Sequence, residues 1–151
     1  MATEKTARAI WQGDLIHGSG HVTSETGSVD ADMTWSARAE EVEGPSPEEL
    51  IAAAHATCVS MALAAGLARA DSPPTRLETE AKTTFDKVGE GFGLTRIHLA
   101  IRGEVEGMDE EAFRTAAEDA KANCPVSKAL EGNVEISVEA SLTSPSPSRS
   151  A

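Results

Sequence analysis

The feature that most constrains this chain is an alanine-rich segment, residues 46–67, which reads SPEELIAAAHATCVSMALAAGL. Ser46 can cap a helix, Pro47 suits the first helical position, and Glu49 stands where a capping box requires an acidic residue. The residues that follow are small and apolar around most of the helical circumference, which predicts a buried helix that other elements approach closely. Cys58 interrupts this apolar surface, and the chemistry of the chain centres on it.

Alternating apolar residues, separated by breaks that carry glycine or proline, predict the other elements. Three antiparallel strands are predicted at residues 6–12, 21–26 and 33–39, and two longer strands at 75–88 and 92–105. Two helices are predicted at 109–122 and 125–130, and a final strand at 134–142. Grouped strands and helices in the order βββ-α-ββ-αα-β predict an α+β fold around the long helix. Because one thin sheet per chain does not cover such a helix on every side, we expect a dimer.

The length of the chain fits a single domain. Its 151 residues suit one domain or one subunit of a small oligomer, and we expect that domain to occupy residues 1–143. Residues 144–151 are rich in serine and proline, which predicts a disordered tail.

The charge and the apolar pattern exclude several kinds of partner. The net charge is −12, from 25 acidic and 13 basic residues, which argues against nucleic acid and anionic membrane surfaces. The N-terminus lacks the apolar run of a secretory signal, and the alanine-rich helix is interpreted as too short and too polar to span a bilayer. We therefore expect a cytoplasmic protein without a metal, since two cysteines do not close a structural zinc site and the four histidines lack ligand spacing.

Two cysteines are the candidate reactive groups, and each has two interpretations. Cys58 lies in mid-helix, where an apolar setting raises the pKa of a thiol, so an inert core cysteine is the simpler interpretation. A reactive Cys58 needs a cation from outside its helix. Arg38, near the end of the third predicted strand, is one source, although it also fits a solvated charge. Cys124 precedes Pro125 at a predicted helix N-cap, which favours a lower pKa, and a buried cap residue is the alternative.

In a reducing compartment, two thiols favour transient redox chemistry over a structural disulfide. One thiol would reduce a peroxide and become a sulfenic acid, and the other would condense with it to a disulfide. Glu48 precedes Cys58 by ten residues, which is roughly 15 Å of helix. If Glu48 belongs to the same site, it is therefore expected from a partner subunit, whereas compensation of the helix dipole is the alternative. For His55, three residues before Cys58, a hydrogen-bonded core or interface histidine is favoured over a Cys–His pair.

Two motifs resemble those of one protein family. The segment PEELIAAAHATCVSM, residues 47–61, resembles the central-helix motif of the OsmC/Ohr family, which comprises osmotically inducible and organic-hydroperoxide-resistance peroxidases. The segment NCPVSKAL, residues 123–130, is similar to the second cysteine motif of that family. Residues 9–14 and 86–92 are also similar to the OsmC branch.

The resemblance implies an intertwined homodimer, with antiparallel sheets around the long central helix and two active sites at the subunit interface. It implies a peroxidase without metal, flavin or haem, in which Cys58 is the peroxidatic cysteine and Cys124 the resolving one. Arg38 would stabilise the Cys58 thiolate, and Glu48 would hold and orient Arg38. The resemblance further implies organic hydroperoxides as preferred substrates over hydrogen peroxide, a lipoyl-type dithiol as reductant, and a role in oxidative or osmotic stress defence.

Two other hypotheses stay open. A redox-sensing or hydrophobic-ligand-binding dimer on the same scaffold predicts thiol oxidation without rapid turnover. A structural protein with incidental cysteines predicts unperturbed pKa values at both thiols.

Overall fold

The computed structural model describes residues 1–40 and 43–143, so the predicted Ser/Pro tail, 144–151, lies outside the described residues. The chain divides into two compact units, one from Met1 to Leu50 and the other beginning at Ile51. The elements in chain order are β1 Ala7–Gln12, β2 Ser19–Ser24, β3 Asp30–Met33, α1 Trp35–Ala39, α2 Pro47–Arg69, β4 Arg76–Val88, β5 Gly91–Glu104, α3 Glu110–Asn123, α4 Pro125–Leu130 and β6 Glu135–Leu142. This mixture confirms the predicted α+β class.

The first unit contains an antiparallel meander in the order β1-β2-β3. Strand β1 pairs with β2 from Ala7 opposite Ser24 to Gln12 opposite Ser19. Every residue of β1 is exposed, whereas β2 and β3 alternate between exposed and half-buried positions. The meander therefore leaves apolar side chains of its first strand open.

The prediction of a third strand through residues 33–39 was wrong beyond Met33. The strand ends there, and α1 begins after Thr34, whose hydroxyl accepts a hydrogen bond from the Ala37 N–H at 3.2 Å. An N-cap bond of this kind satisfies one of the donors that a helix start leaves unpaired. Arg38 consequently lies in the last turn of a short helix and not at the end of a strand.

Helix α2 begins as the sequence predicts. The Ser46 hydroxyl accepts a hydrogen bond from the Glu49 N–H at 3.2 Å. The prediction that α2 is too short and too polar for a membrane was wrong by length and composition, because its 23 residues reach a mean hydropathy of 1.8 over an 18-residue window. A core helix of a soluble protein satisfies the same criterion, so this is weak support for a membrane span.

Within the second unit, α2 buries one row of side chains. His55, Val59, Leu63 and Leu67 recur every four residues and are at most 1% exposed. Such a row is one stripe of a helix and packs into a core. The other side is open, and the Met61 side chain is 68% exposed. The expectation of burial around most of the circumference is therefore not met by this chain alone.

The second sheet has the order β4-β5-β6, with β5 in the centre. Strands β4 and β5 form a long antiparallel hairpin, with an irregularity between Thr84 and Phe85. Strand β6 runs parallel to β5, from Arg96 opposite Glu135 to Gly103 opposite Leu142. A parallel neighbour requires a crossover, which α3 and α4 supply here.

The core of the second unit joins α2, α3 and one face of the sheet. Alternate residues of β5, namely Ile97, Leu99 and Ile101, are fully buried, as is Phe113 of α3. Cys124 belongs to the same buried cluster, and Cys58 packs against it. The fold therefore brings one cysteine from α2 and one from the junction of α3 and α4 to the same core.

Candidate active site

Cys124 occupies the junction between two helices. Asp109 caps the start of α3, through a bond from the Ala112 N–H to its carboxylate at 2.8 Å, and α3 then runs to Asn123. Cys124 is the C-cap of α3 and the N-cap of α4, and Pro125 holds the first position of α4, as the sequence predicts. The Cys124 side chain is fully buried, and Cys58 is half-buried on α2.

The two thiols form a hydrogen-bonded pair. Both cysteines are free, and their side chains hydrogen-bond to each other. Burial raises the pKa of Cys58, and the hydrogen bond to Cys124 raises it further, against a smaller opposite effect of the Val126 backbone N–H. Within the second unit, no described cation lowers it. Cys58 therefore stays a thiol and acts as the donor of the pair.

The pKa of Cys124 shifts in the opposite direction to that of Cys58. Burial raises its pKa, but the hydrogen bond from Cys58 and the backbone and hydroxyl groups of Ser127 together outweigh burial and lower it. The thiol makes no ordinary side-chain cap bond, so the nearby N–H groups act on its charge at longer range. Two groups that share a proton in this way titrate as a pair. Within the pair, the pKa of Cys124 is lowered and that of Cys58 is raised.

His55 hydrogen-bonds to Ser127, and among the described residues it makes no hydrogen bond to a thiol. The side chain is fully buried, and its Nε2 lies 2.7 Å from the Ser127 Oγ. Burial lowers the pKa of this imidazole. The favoured interpretation, a hydrogen-bonded buried histidine, describes this contact better than a Cys–His pair. Sequence reasoning missed Ser127, although its position three residues after Cys124, in the first turn of α4, was a local signal.

Arg38 and Glu48 form the second pair, in the first unit. The Arg38 Nε lies 3.0 Å from Glu48 Oε1 and 3.2 Å from Oε2, and Nη2 lies 2.8 Å from Oε1. The Glu48 side chain is 10% exposed and that of Arg38 is 35% exposed. A two-point contact of this kind fixes the plane of the guanidinium group, and a single contact does not.

The four predicted site residues thus lie in two pairs, Arg38 with Glu48 and Cys58 with Cys124. The two pairs differ in their chemistry. The first holds an oriented cation, and the second is a dithiol in which one sulfur already accepts a hydrogen bond. Among the residues that the structure describes, no group of three histidine, cysteine or acidic side chains is arranged to hold a metal ion.

Two thiols in contact, one on a helix and one at a helix cap, are typical of proteins that form and break a disulfide during their cycle. The site therefore contains the residue types that a dithiol redox function would need.

Comparisons with known proteins give the family. The model of the family described as "OsmC-like protein" matches residues 39–139. "Peroxiredoxin OsmC" of Escherichia coli is 39% identical, over 90% of this chain and 96% of that protein. The chain belongs to the OsmC family, which confirms the sequence-based assignment.

Solved structures agree with this result. The organic hydroperoxide resistance protein OhrB of Bacillus subtilis superimposes with a TM-score of 0.71 at 29% identity, over 89% of this chain and 97% of that one. An organic hydroperoxide resistance protein from Elizabethkingia anophelis gives a TM-score of 0.75 at 26% identity, over 95% of this chain and all of that one.

Proposed function

We propose that this chain is a two-cysteine thiol peroxidase that reduces organic hydroperoxides, and hydrogen peroxide more slowly, in oxidative or osmotic stress defence. Its relatives are named peroxiredoxin and organic hydroperoxide resistance protein, which supports peroxidase activity. The observation that carries the mechanism is the contact between Cys58 and Cys124 within one compact unit. No cofactor is needed for this chemistry.

The first step takes place at Cys58, which is half-buried while Cys124 is fully buried. The Cys58 thiolate attacks the terminal oxygen of the hydroperoxide, an S–O bond forms, and the O–O bond breaks. The alkoxide leaves and takes a proton to become an alcohol, and Cys58 is oxidised to the sulfenic acid.

The second step takes place at Cys124. Its thiolate attacks the Cys58 sulfur, an S–S bond forms, and the S–O bond breaks with release of hydroxide, which takes a proton to become water. A dithiol reductant, of lipoyl type, then exchanges with the disulfide, restores both thiols and leaves as its own disulfide.

Cys58 needs a cation before it ionises, because burial and the bond to Cys124 both hold its proton in place. We assign that role to Arg38, oriented by Glu48 through the two-point contact. The sequence spacing of Glu48 and Cys58 favours donation from another chain, so the Arg38–Glu48 pair of one subunit would complete the site around the thiols of its partner.

Each unit, taken by itself, has exposed large apolar side chains. In the first unit, Ile10 is 59% exposed and Trp11 is 42% exposed. In the second unit, the open side of α2 carries the exposed Met61. Exposed apolar groups that cluster on one surface mark interaction sites. These side chains support the proposal of a homodimer with its active sites at the interface. The net charge of −12 supports the proposal that nucleic acid and anionic membrane surfaces are not partners, and two free cysteines fit a reducing compartment such as the cytoplasm.

One observation favours a second candidate. The raised pKa of Cys58 within its unit disfavours the reactive thiolate, as expected of a slow redox sensor or a hydrophobic-ligand-binding dimer. Turnover separates the two functions, because a sensor is oxidised once and does not consume peroxide rapidly.

The test is stopped-flow oxidation of the reduced protein by cumene hydroperoxide and by hydrogen peroxide, followed by turnover with a dithiol reductant. We expect faster oxidation by the organic peroxide. Cys58→Ser should abolish consumption, and Cys124→Ser should leave the first oxidation intact but impair recycling. Full turnover by Cys58→Ser would exclude the proposed mechanism, and oxidation of the unsubstituted protein without turnover would support the sensor.

A further inference from the structure

A buried chain of polar contacts leads from α2 to the resolving thiol. His55 of α2 is fully buried, Ser127 of α4 is 5% exposed, and His55 Nε2 lies 2.7 Å from Ser127 Oγ. Ser127 lies in the first turn of α4, the helix that Cys124 caps, and its hydroxyl lowers the pKa of the Cys124 thiol. The peroxide chemistry described above makes no use of His55.

Only one arrangement of protons is consistent with the contacts among His55, Ser127 and the Cys124 thiolate. The Ser127 hydroxyl has a single hydrogen, so a hydroxyl that donates to the Cys124 thiolate must accept from His55. His55 then carries its proton on Nε2, and Nδ1 is a bare acceptor. Among the described residues, Nδ1 has no hydrogen-bond partner. A charged imidazole would leave a buried Nδ1–H donor without an acceptor, which is costly, so His55 is neutral.

We propose that His55 is a positioning residue, which holds the Ser127 hydroxyl as a donor to the Cys124 thiolate and so speeds disulfide formation after Cys58 has been oxidised. This inference rests on the proposed peroxidase function. His55 acts through Ser127, since among the described residues its hydrogen bond goes to the Ser127 hydroxyl and not to either sulfur.

The step that His55 serves is the attack of Cys124 on the Cys58 sulfenic acid. The sulfenic sulfur is reduced and the Cys124 sulfur is oxidised, as the S–S bond forms and hydroxide leaves to become water. Only the thiolate form of Cys124 attacks, so its population at a given pH sets the rate. The preceding oxidation of Cys58 does not use the Cys124 thiolate as its nucleophile.

The competing explanation is structural, since the contact between His55 and Ser127 also joins α2 to α4. Loss of a structural bond lowers stability without changing the ionisation of Cys124. Ser60 offers a matched control, because its Oγ lies 2.7 Å from Thr79 Oγ1 and joins the same α2 to β4.

The test uses the full chain with Cys58→Ser, and it follows the ultraviolet absorbance of the Cys124 thiolate against pH without peroxide. Adding Ser127→Ala or His55→Leu should raise the titration midpoint by about one pH unit, the value of one charge-assisted hydrogen bond. His55→Gln places an amide N–H near the position of Nε2 and should keep the midpoint close to the parent value. Ser60→Ala should not shift it.

With both cysteines present, Ser127→Ala and His55→Leu should slow disulfide formation about tenfold and should not slow the first oxidation by cumene hydroperoxide. An unshifted midpoint in folded Ser127→Ala overturns the inference, even if His55→Leu does not fold. A shift as large in Ser60→Ala also overturns it. Absence of a peroxide-driven disulfide in the unsubstituted protein is a separate result, which would overturn the proposed function.

Discussion

At the scale of single residues, burial raises the pKa of both thiols, whereas hydrogen bonding between them raises the pKa of Cys58 and lowers that of Cys124. Cys58 has a raised pKa because burial and its donor role agree, whereas hydrogen bonds at Cys124 outweigh burial. The positions of both cysteines in their helices predicted these directions. The partner of His55 was not predictable, because Ser127 is 72 residues away in sequence and no local spacing connects the two.

The pair formed by Arg38 and Glu48 gives the first prediction. Glu48→Gln keeps the shape of the side chain but removes the charge that fixes the guanidinium group. We expect oxidation of Cys58 by cumene hydroperoxide to slow about tenfold, the worth of one hydrogen bond between charged groups. Glu49→Gln is the matched control, since Glu49 is an exposed acid in the same first turn. Equal rates in both variants would refute the role of Glu48.

The buried imidazole of His55 gives a prediction for pH dependence. Burial lowers its pKa from the ordinary 6.5, so the unfolded chain binds a proton there that the folded chain does not. Stability is therefore lost as the pH falls below that ordinary value, by up to about 1.4 kcal/mol per pH unit from this one group. Urea unfolding of His55→Gln should show a correspondingly shallower loss of the free energy of unfolding on acidification.

His21 is a control of opposite sign. Hydrogen bonds from its ring to Asp32 and Asp30 raise its pKa, so its stabilising effect is present at low pH and disappears as the pH rises through the raised value. His21→Gln should therefore steepen the loss of stability on acidification. A shallower loss in His21→Gln, or none of the expected change in His55→Gln, would contradict these assignments.

At the scale of elements, periodicity and capping located most of the fold, because long helices and strands repeat their pattern several times. Helix α4 begins and ends where it was predicted, at Pro125 and Leu130. The pattern fails at residues 33–39, because an apolar pattern over such a short segment is equally compatible with a strand and with a helix. There the N-cap at Thr34 decides the structure, and a capping signal is the better guide over such a short segment.

The packing of β5 against α3 gives a prediction of stability. A Cβ at Gly103 would lie 2.6 Å from Phe113 Cε1 and 3.2 Å from Leu77 Cδ2, and the Phe113 ring is fully buried. Gly103→Ala should therefore destabilise the protein by about 1–3 kcal/mol, as overpacking does. Gly91→Ala is the control in the same strand, where the nearest atom is the Val88 carbonyl oxygen at 3.9 Å. Thermal unfolding of both variants measures the difference, and equal melting temperatures would contradict this packing.

At the scale of the whole molecule, a single chain leaves one side of α2 uncovered. The sequence predicted a helix buried on most sides, and the single chain buries only one row of α2. In the proposed dimer, a second copy would cover the open side of α2 and would also supply Cys58 with a cation. A single chain's sequence contains both halves of such a site but does not say which copy provides each half.

The open side of α2 tests the dimer. Met61→Glu places a charge on the exposed part of that surface, where burial against a partner would be costly. Light scattering should then show a monomer, and peroxidase turnover should be lost, while Met61→Leu should stay dimeric and active. A monomeric unsubstituted protein with full activity would contradict the interface site.

We infer that Cys58 and Cys124 of one chain form the redox pair. The most direct measurement is peptide mapping by mass spectrometry after the reduced protein reacts with one equivalent of cumene hydroperoxide. We predict one disulfide that joins the Cys58 peptide to the Cys124 peptide and that a dithiol reverses. A disulfide between copies of the chain, or two thiols that stay free while the peroxide is consumed, would contradict the account.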